Sequence, residues 1–184
     1  MAEAQGDIRS LLVIGGARSG KSRYAQTAAE QSGKSPVLIA TGEAKDAEMA
    51  ARIAAHQGAR GASWRTIEAP LALAATLKEA AAPGTIVLVD CLTLWLSNLM
   101  LAGGDAEAEG QHLAAIVAAL AGPVIFVTNE VGAGIVPDNV LARRFQDAQG
   151  RLNQTIAAAC DAAVLVSAGL PLILKPSQVT ELKL

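Results

Sequence analysis

The sequence predicts an α/β fold in which helices cover both faces of a mostly parallel β-sheet. Short apolar runs alternate along the 184-residue chain with longer segments of helical composition. The run at residues 85–89 is almost entirely apolar and does not alternate with polar residues, which is typical of a strand buried on both faces. This alternation of strands and helices favours parallel strands joined by helical crossovers. In such sheets, ligands bind beyond the carboxyl ends of the strands.

The expected elements follow from the apolar runs and from the turn residues between them. Strands are predicted at residues 11–14, 37–40, 64–67, 85–89, 124–127, 163–166 and 172–174. Helices are predicted at residues 23–31, 46–57, 70–81, 92–101, 106–120 and 139–159. The length suits one domain over residues 1–184, and we expect residues 1–9 and 177–184 to be loose tails.

Composition limits the classes of function. Hydrophobic residues make up 52% and charged residues 17%, as in a compact globular protein. Aromatic residues are only 3% and the formal net charge is -2, so we expect no nucleic-acid partner. Gly122 and Pro123 interrupt the longest uncharged stretch, so we expect no membrane span. Cys91 and Cys160 lack metal-site spacing and are expected to be buried reduced thiols of a cytoplasmic protein.

The segment at residues 15–22 is the most informative motif of the chain. It follows the first predicted strand, precedes a predicted helix, and matches the pattern G-x-x-x-x-G-K-[ST] with Gly15, Gly16, Ala17, Arg18, Ser19, Gly20, Lys21 and Ser22. Its backbone N–H groups would surround the phosphates of a nucleotide, which Lys21 would also contact, and Ser22 would bind Mg²⁺. The alternative is a glycine-rich turn without a ligand. The motif in this context predicts a P-loop NTPase with a RecA-like sheet.

Further polar residues follow other predicted strands. Asp90 comes after an apolar strand, at the position where P-loop enzymes hold Mg²⁺ directly or through water, although an Asp there could also cap the next helix. Asn129 and Glu130 open a loop that either takes part in the site or only turns the chain. His56 closes the predicted helix at residues 46–57, and its spacing fits either a chemical role or a bystander.

Several motifs together resemble one family. They are G-G-A-R-S-G-K-S at residues 15–22, E-M-x-x-R-I-x-x-H at 48–56, W-R-T-I-E at 64–68, V-D-C-L-T-L-W-L-S-N at 89–98 and T-N-E-V-G at 128–132. The chain resembles the bifunctional adenosylcobinamide kinase/adenosylcobinamide-phosphate guanylyltransferases of cobalamin biosynthesis, from about residue 11 to residue 175. The P-loop is shared by many families, whereas the histidine motif and T-N-E-V-G are more specific.

The resemblance implies two reactions at one nucleotide site. ATP or GTP would phosphorylate adenosylcobinamide, and GTP would then transfer GMP to adenosylcobinamide phosphate through a guanylylated His56. It also implies Mg²⁺, a homotrimer and further nucleotide contacts, with Glu68 as a candidate for recognising guanine. The other expected contacts are Ala40, Thr41, Gly42, Gln57, Gly58, Ala59 and Arg60. Many members have a basic residue directly after the histidine, whereas this chain has Gln57.

Two other functions remain open from the sequence. One is a small-molecule kinase with a single activity, for which His56 would be idle. The other is a nucleotide-dependent switch or RecA-like assembly module. A filament-forming module that binds nucleic acid should carry basic or aromatic loops, which this sequence lacks.

Overall fold

The computed structural model describes residues 8–43 and 63–176. Their strands form one seven-stranded sheet in the order β3-β2-β4-β5-β1-β6-β7. The strands are β1 (Ser10–Gly15), β2 (Ser35–Ala40), β3 (Arg65–Glu68), β4 (Thr85–Asp90), β5 (Val124–Asn129), β6 (Ala162–Ser167) and β7 (Leu170–Lys175). All neighbouring strands are parallel except β6 and β7, which pair antiparallel. The predicted mostly parallel sheet is therefore confirmed.

Helices flank this sheet on both faces, as the sequence predicts. Within the described part of the chain they are α1 (Lys21–Gln31), α2 (Leu73–Ala80), α3 (Leu92–Leu101), α4 (Ala106–Val117) and α5 (Val140–Ala159). Buried residues of α1 belong to one hydrophobic cluster. Buried residues of the other four helices belong to a second cluster. The sheet thus separates two hydrophobic cores.

Consecutive residues of the central strands point into different cores. Leu12 belongs to the core under α2–α5, whereas Val13 belongs to the core under α1. In β4, Val87 and Val89 face the core under α2–α5, and Leu88 faces the core under α1. Side chains alternate between the faces of a strand, and here both faces are covered. Burial on both faces explains why apolar and polar residues do not alternate at residues 85–89 of β4.

The predicted start of the second described helix is wrong by three residues. The sequence places Pro70 in its first turn, but α2 begins at Leu73. The Pro70 carbonyl accepts a 3.2 Å hydrogen bond from Asn98 Nδ2, and the Leu71 carbonyl accepts a 3.0 Å bond from Trp95 Nε1. These bonds from α3 hold the two residues in a turn before the helix. The predicted helix at residues 46–57 lies outside the described residues.

Both cysteines are buried and neither forms a disulfide. Burial raises the pKa of the Cys91 thiol to about 11 and that of Cys160 to about 12, so both thiols are protonated at neutral pH. Their predicted burial is confirmed. Among residues 8–43 and 63–176, no helix combines the length and apolar character that crossing a membrane requires.

Residue 9, which the sequence assigns to a loose tail, is hydrogen-bonded at the amino-terminal edge of the sheet. The backbone N–H groups of Arg9 and Ser10 and the Ser10 hydroxyl each donate a 2.9 Å hydrogen bond to Asp161 Oδ2. The Arg9 guanidinium also donates to the Leu120 carbonyl at 2.7 Å. Desolvation opposes ionisation of Asp161, but the hydrogen bonds outweigh it and lower the pKa of this carboxyl.

We expect Asp161→Asn to reduce the free energy of unfolding at pH 7 and to have a smaller effect in acid. The folded-state pKa of Asp161 lies below its unfolded value, so its stabilisation is present above that unfolded value. It is lost as the pH falls through the folded pKa. Urea unfolding between pH 7 and pH 3 measures the difference between the two proteins. Glu79→Gln, which changes an exposed carboxylate of α2, is the control. A difference independent of pH would contradict this assignment.

Candidate nucleotide site at the carboxyl edge of the sheet

The P-loop joins β1 to α1 as the sequence predicts. β1 ends at Gly15, and α1 begins at Lys21 with Gly20 before it in a left-handed conformation (φ 96°). Arg18 is also left-handed, with φ 56°. The loop is closed by a 3.3 Å hydrogen bond from Ser19 N to the Gly16 carbonyl. The segment therefore forms a compact turn at the amino end of a helix, the geometry that binds phosphate groups.

Gly15 is packed so closely that only glycine fits. A Cβ atom there would lie 2.6 Å from the Val166 carbonyl oxygen of β6 and 2.5 Å from Ser19 Oγ. At Gly16, a Cβ would have none of the described atoms within 4 Å. Steric packing therefore requires glycine at position 15, where β1, β6 and the loop approach each other, but not at position 16.

We expect Gly15→Ala to destabilise the protein by about 1–3 kcal/mol, because the added methyl overlaps with backbone that cannot move independently. Gly16→Ala is the matched control and should cost much less. Chemical denaturation measures the free energy of unfolding of both variants. It is carried out without nucleotide, so that a contact between Gly16 and phosphate does not contribute. Equal destabilisation by both substitutions would contradict the close packing at Gly15.

Lys21 lies over the loop and beside the end of β4. Its Nζ donates a 3.1 Å hydrogen bond to the Gly16 carbonyl. Burial lowers the pKa of Lys21, while Cys91 and the negative charge of Asp90 raise it. Burial has the larger effect, so the pKa of the Lys21 amine is lowered overall. An amine that is partly desolvated gains from a bound phosphate.

The predicted Mg²⁺ ligands are Ser22 in the first turn of α1 and Asp90 at the end of β4. Among the described residues, no group of three or more His, Cys, Asp or Glu side chains could hold a metal ion. Mg²⁺ usually takes one or two protein oxygens and completes its shell with phosphate and water. The Asp90 carboxylate and the Ser22 hydroxyl would supply these two protein oxygens. The residues present therefore fit Mg²⁺ that binds together with a nucleotide.

Asn129 ends β5 directly beside the P-loop. It pairs in register with Gly15, its N–H donates to Thr93 Oγ1 at 2.8 Å, and its carbonyl accepts from Asn153 Nδ2 at 3.1 Å. Its side-chain Oδ1 is buried and has no hydrogen-bond partner among the described residues. A buried acceptor of this kind calls for a donor, which a ligand or a water molecule can supply.

A buried polar network behind Asn129 was missed by the sequence analysis. Thr128 Oγ1 donates to Asn153 Oδ1 at 2.7 Å, and Gln149 Nε2 donates to both of these oxygens at 3.0 and 2.9 Å. These contacts join β5 to α5 and fix the end of the strand. The sequence signal that could have indicated this network is the spacing of Gln149 and Asn153, whose amide side chains lie four residues apart on one face of α5.

Thr41, a predicted nucleotide contact, is fully buried and already fully bonded. Its hydroxyl donates to the Cys91 carbonyl at 2.7 Å and accepts from Cys91 N at 2.9 Å. Its N–H donates to the Asp90 carbonyl, and its carbonyl accepts from Asn98 Nδ2. Thr41 therefore joins the ends of β2 and β4 and orients the backbone of Asp90. Ala40 and Gly42 beside it are partly exposed.

Glu68 ends β3 at the far edge of the sheet, where its side chain is exposed. In the strand order, β3 lies four steps from β1, about 19 Å at the usual interstrand spacing. The predicted site residues therefore extend along the sheet edge and are not all grouped around the P-loop. His56, Gln57, Gly58, Ala59 and Arg60 lie outside the described residues.

A P-loop on a mostly parallel sheet, with helices on both faces and an acidic strand end beside it, defines the class of P-loop NTPases. The model of the family described as cobinamide kinase/cobinamide phosphate guanyltransferase matches residues 11–174, and the chain belongs to this family.

Named relatives agree with this assignment. The chain is 49% identical to the bifunctional adenosylcobalamin biosynthesis protein CobP of Pseudomonas aeruginosa, over 89% of this chain and 96% of that protein. It is 41% identical to the corresponding protein, CobU, of Salmonella typhimurium, over 90% of this chain and 99% of that one. Among solved structures, the P4 protein from bacteriophage phi6 in complex with ADP matches with a TM-score of 0.50 and 18% identity, over 89% of this chain and 52% of that one. This last likeness concerns the fold alone.

Proposed function

We propose that this protein phosphorylates adenosylcobinamide with ATP or GTP and then transfers GMP from GTP to the phosphorylated product, giving adenosylcobinamide-GDP and pyrophosphate. The observation that carries the proposal is the P-loop at the amino end of α1, with Lys21 Nζ 3.1 Å from the Gly16 carbonyl, in a chain of the cobinamide kinase/guanyltransferase family.

In the kinase reaction, the substrate hydroxyl attacks the γ-phosphorus and the nucleoside diphosphate leaves. The new bond joins the substrate oxygen to phosphorus, the β–γ bridging bond breaks, and the hydroxyl proton is released. The P-loop N–H groups and Lys21 would neutralise the phosphate oxygens. Ser22 and Asp90 would hold Mg²⁺, which when bound supplies positive charge that stabilises the leaving phosphate.

In the guanylyl reaction, a neutral His56 nitrogen would attack the α-phosphorus of GTP and expel pyrophosphate. A phosphate oxygen of adenosylcobinamide phosphate would then attack the same phosphorus and release the histidine. Glu68 is a candidate for binding the N1–H and amine of guanine, because a carboxylate accepts from both. Gln57, Gly58, Ala59 and Arg60 remain proposed contacts from the sequence motif.

Among the proposed contacts at the end of β2, Ala40 and Gly42 are partly exposed, whereas Thr41 is buried. The polar groups of Thr41 are occupied by Asp90, Cys91 and Asn98. We therefore propose that Thr41 acts by holding the backbone between Asp90 and Gly42.

We also propose that the protein forms a homotrimer, as the family resemblance implies. Self-association is supported by the edge strand β7, which exposes Leu170, Leu172 and Ile173 by 73%, 59% and 67%. An exposed apolar edge strand favours pairing with another chain. Analytical ultracentrifugation tests the trimer directly.

Incubation of the protein with adenosylcobinamide, GTP and Mg²⁺ tests the proposed function, with the corrinoid products separated by chromatography and identified by mass spectrometry. We expect adenosylcobinamide phosphate first and adenosylcobinamide-GDP later. Accumulation of the phosphate alone would favour the single-activity kinase. Nucleotide hydrolysis with no corrinoid product would favour the switch or assembly module.

A further inference from the structure

The turn between β6 and β7 contacts the P-loop. Ala168 and Gly169 form this two-residue connection, and both are left-handed, with φ 52° and 80°. This is the backbone shape of a tight antiparallel hairpin. The Gly169 N–H donates a 2.8 Å hydrogen bond to the Ser19 carbonyl in the P-loop. The hairpin therefore reaches the loop through its backbone.

The contact leaves no room between the two segments. A Cβ atom at Gly20 would lie 3.1 Å from the Gly169 Cα atom, which is closer than most contacts of a Cβ atom. A Cβ atom at Gly169 would lie 3.6 Å from the Arg23 guanidinium nitrogen, which is ordinary contact. Residues in the first turn of α1 and before it therefore pack directly on the hairpin.

The hydrogen bond fixes the direction of a P-loop N–H. The peptide group between Ser19 and Gly20 is trans and planar, so its C=O and N–H point in opposite directions. Because the Ser19 carbonyl points at Gly169, the Gly20 N–H points away from the hairpin. This is the N–H that precedes Lys21 at the amino end of α1, where an anion binds.

A second P-loop peptide group is oriented in the same way from the other side. Glu130 N, directly after β5, donates a 3.1 Å hydrogen bond to the Gly15 carbonyl. The Gly16 N–H in that peptide group therefore points away from Glu130. One backbone donor after β5 and one after β6 thus hold the two ends of the P-loop by their carbonyl groups.

We propose that Gly169 is a positioning residue of the nucleotide site: its N–H holds the Ser19 peptide so that the Gly20 N–H stays directed at the nucleotide phosphates. The inference rests on the proposed nucleotide site and assigns to the β6–β7 turn a part in phosphate binding. Glycine suits this position because it adopts a left-handed φ without strain. Alanine disfavours this φ and would therefore rotate the turn and withdraw the donor.

Titration calorimetry of GTP with Mg²⁺ tests this role in three variants and the unsubstituted protein. We expect Gly169→Ala to raise the Kd for GTP about tenfold, the loss that corresponds to one hydrogen bond. The matched control is Gly103→Ala, which has a similar φ of 73° but no described atom within 4 Å of the added Cβ. It should leave the Kd unchanged while lowering the thermal midpoint similarly. Gly169→Asn should restore binding, because Asn tolerates the left-handed conformation.

Equal Kd values for Gly169→Ala and Gly103→Ala would overturn the positioning role, and so would a Gly169→Asn protein that binds as weakly as the alanine variant. Failure of the unsubstituted protein to bind GTP would instead contradict the proposed nucleotide function. The thermal midpoints separate loss of fold from loss of phosphate orientation.

Discussion

Lys21→Ala is expected to lose both reactions, with each kcat/KM falling by about 10²–10³. The γ-phosphoryl and guanylyl transfers differ in the phosphorus attacked, but both develop charge on a polyphosphate held by the same loop. Lys21 is the cation that the structure places over this loop, where its Nζ lies 3.1 Å from the Gly16 carbonyl. Removing the amine leaves that charge without its main side-chain partner.

The fold should survive this change, because partial burial of the Lys21 amine carries a desolvation cost. Thermal unfolding without nucleotide should therefore show little destabilisation. Lys78→Ala, at an exposed lysine of α2, is the activity control. If Lys21→Ala kept one reaction at the normal rate, that reaction would have to use a different phosphate site.

His56→Ala is expected to abolish GMP transfer while leaving phosphorylation of adenosylcobinamide near its normal rate. The imidazole would form a covalent bond only to the α-phosphorus, and alanine offers no nucleophile. The kinase reaction uses the substrate hydroxyl and the P-loop instead. The products should therefore stop at adenosylcobinamide phosphate.

The second histidine provides the matched control for this variant. His112 is exposed on α4 and lies in none of the motifs that carry the family resemblance, so His112→Ala should retain both reactions. If His56→Ala lost the kinase reaction as well, while still binding nucleotide, the division of roles would be contradicted.

The fold could be predicted because its signals are local. Each central strand is a short apolar run, since burial on both faces removes polar residues from it. The P-loop was recognisable from spacing because glycines are needed at fixed positions, and the packing at Gly15 shows why for one of them. Asp90 was found because it directly follows the apolar part of β4.

The remaining features depend on contacts between distant parts of the chain. Pro70 looked like a helix start, but Asn98 and Trp95 of α3 capture the carbonyls at this point. The contact between Gly169 and Ser19 joins residues about 150 positions apart, a pairing that is set by sheet order and not by local propensity. The family resemblance assigned Thr41 to the nucleotide, whereas its bonds to Cys91 appear only in the folded chain.

The spread of the predicted site residues along the sheet edge also bears on how one protein could catalyse two reactions. The P-loop and Asp90 lie toward the middle of the sheet, while Glu68 lies on the edge strand, four strand positions from β1. A nucleotide bound along this edge would present its γ-phosphorus near Lys21, or its α-phosphorus to His56, according to its position. The two proposed reactions would then share the P-loop and differ in where the triphosphate lies along the sheet edge.

Intact-mass spectrometry of the protein after incubation with GTP and Mg²⁺, without corrinoid, tests this central claim most directly. We predict a covalent GMP adduct that is labile to acid, that maps to His56 by peptide sequencing, and that is absent from His56→Ala. It should disappear when adenosylcobinamide phosphate is added, with formation of adenosylcobinamide-GDP. An unmodified protein, under conditions where calorimetry shows that GTP is bound, would contradict the guanylyltransferase half of the proposed function.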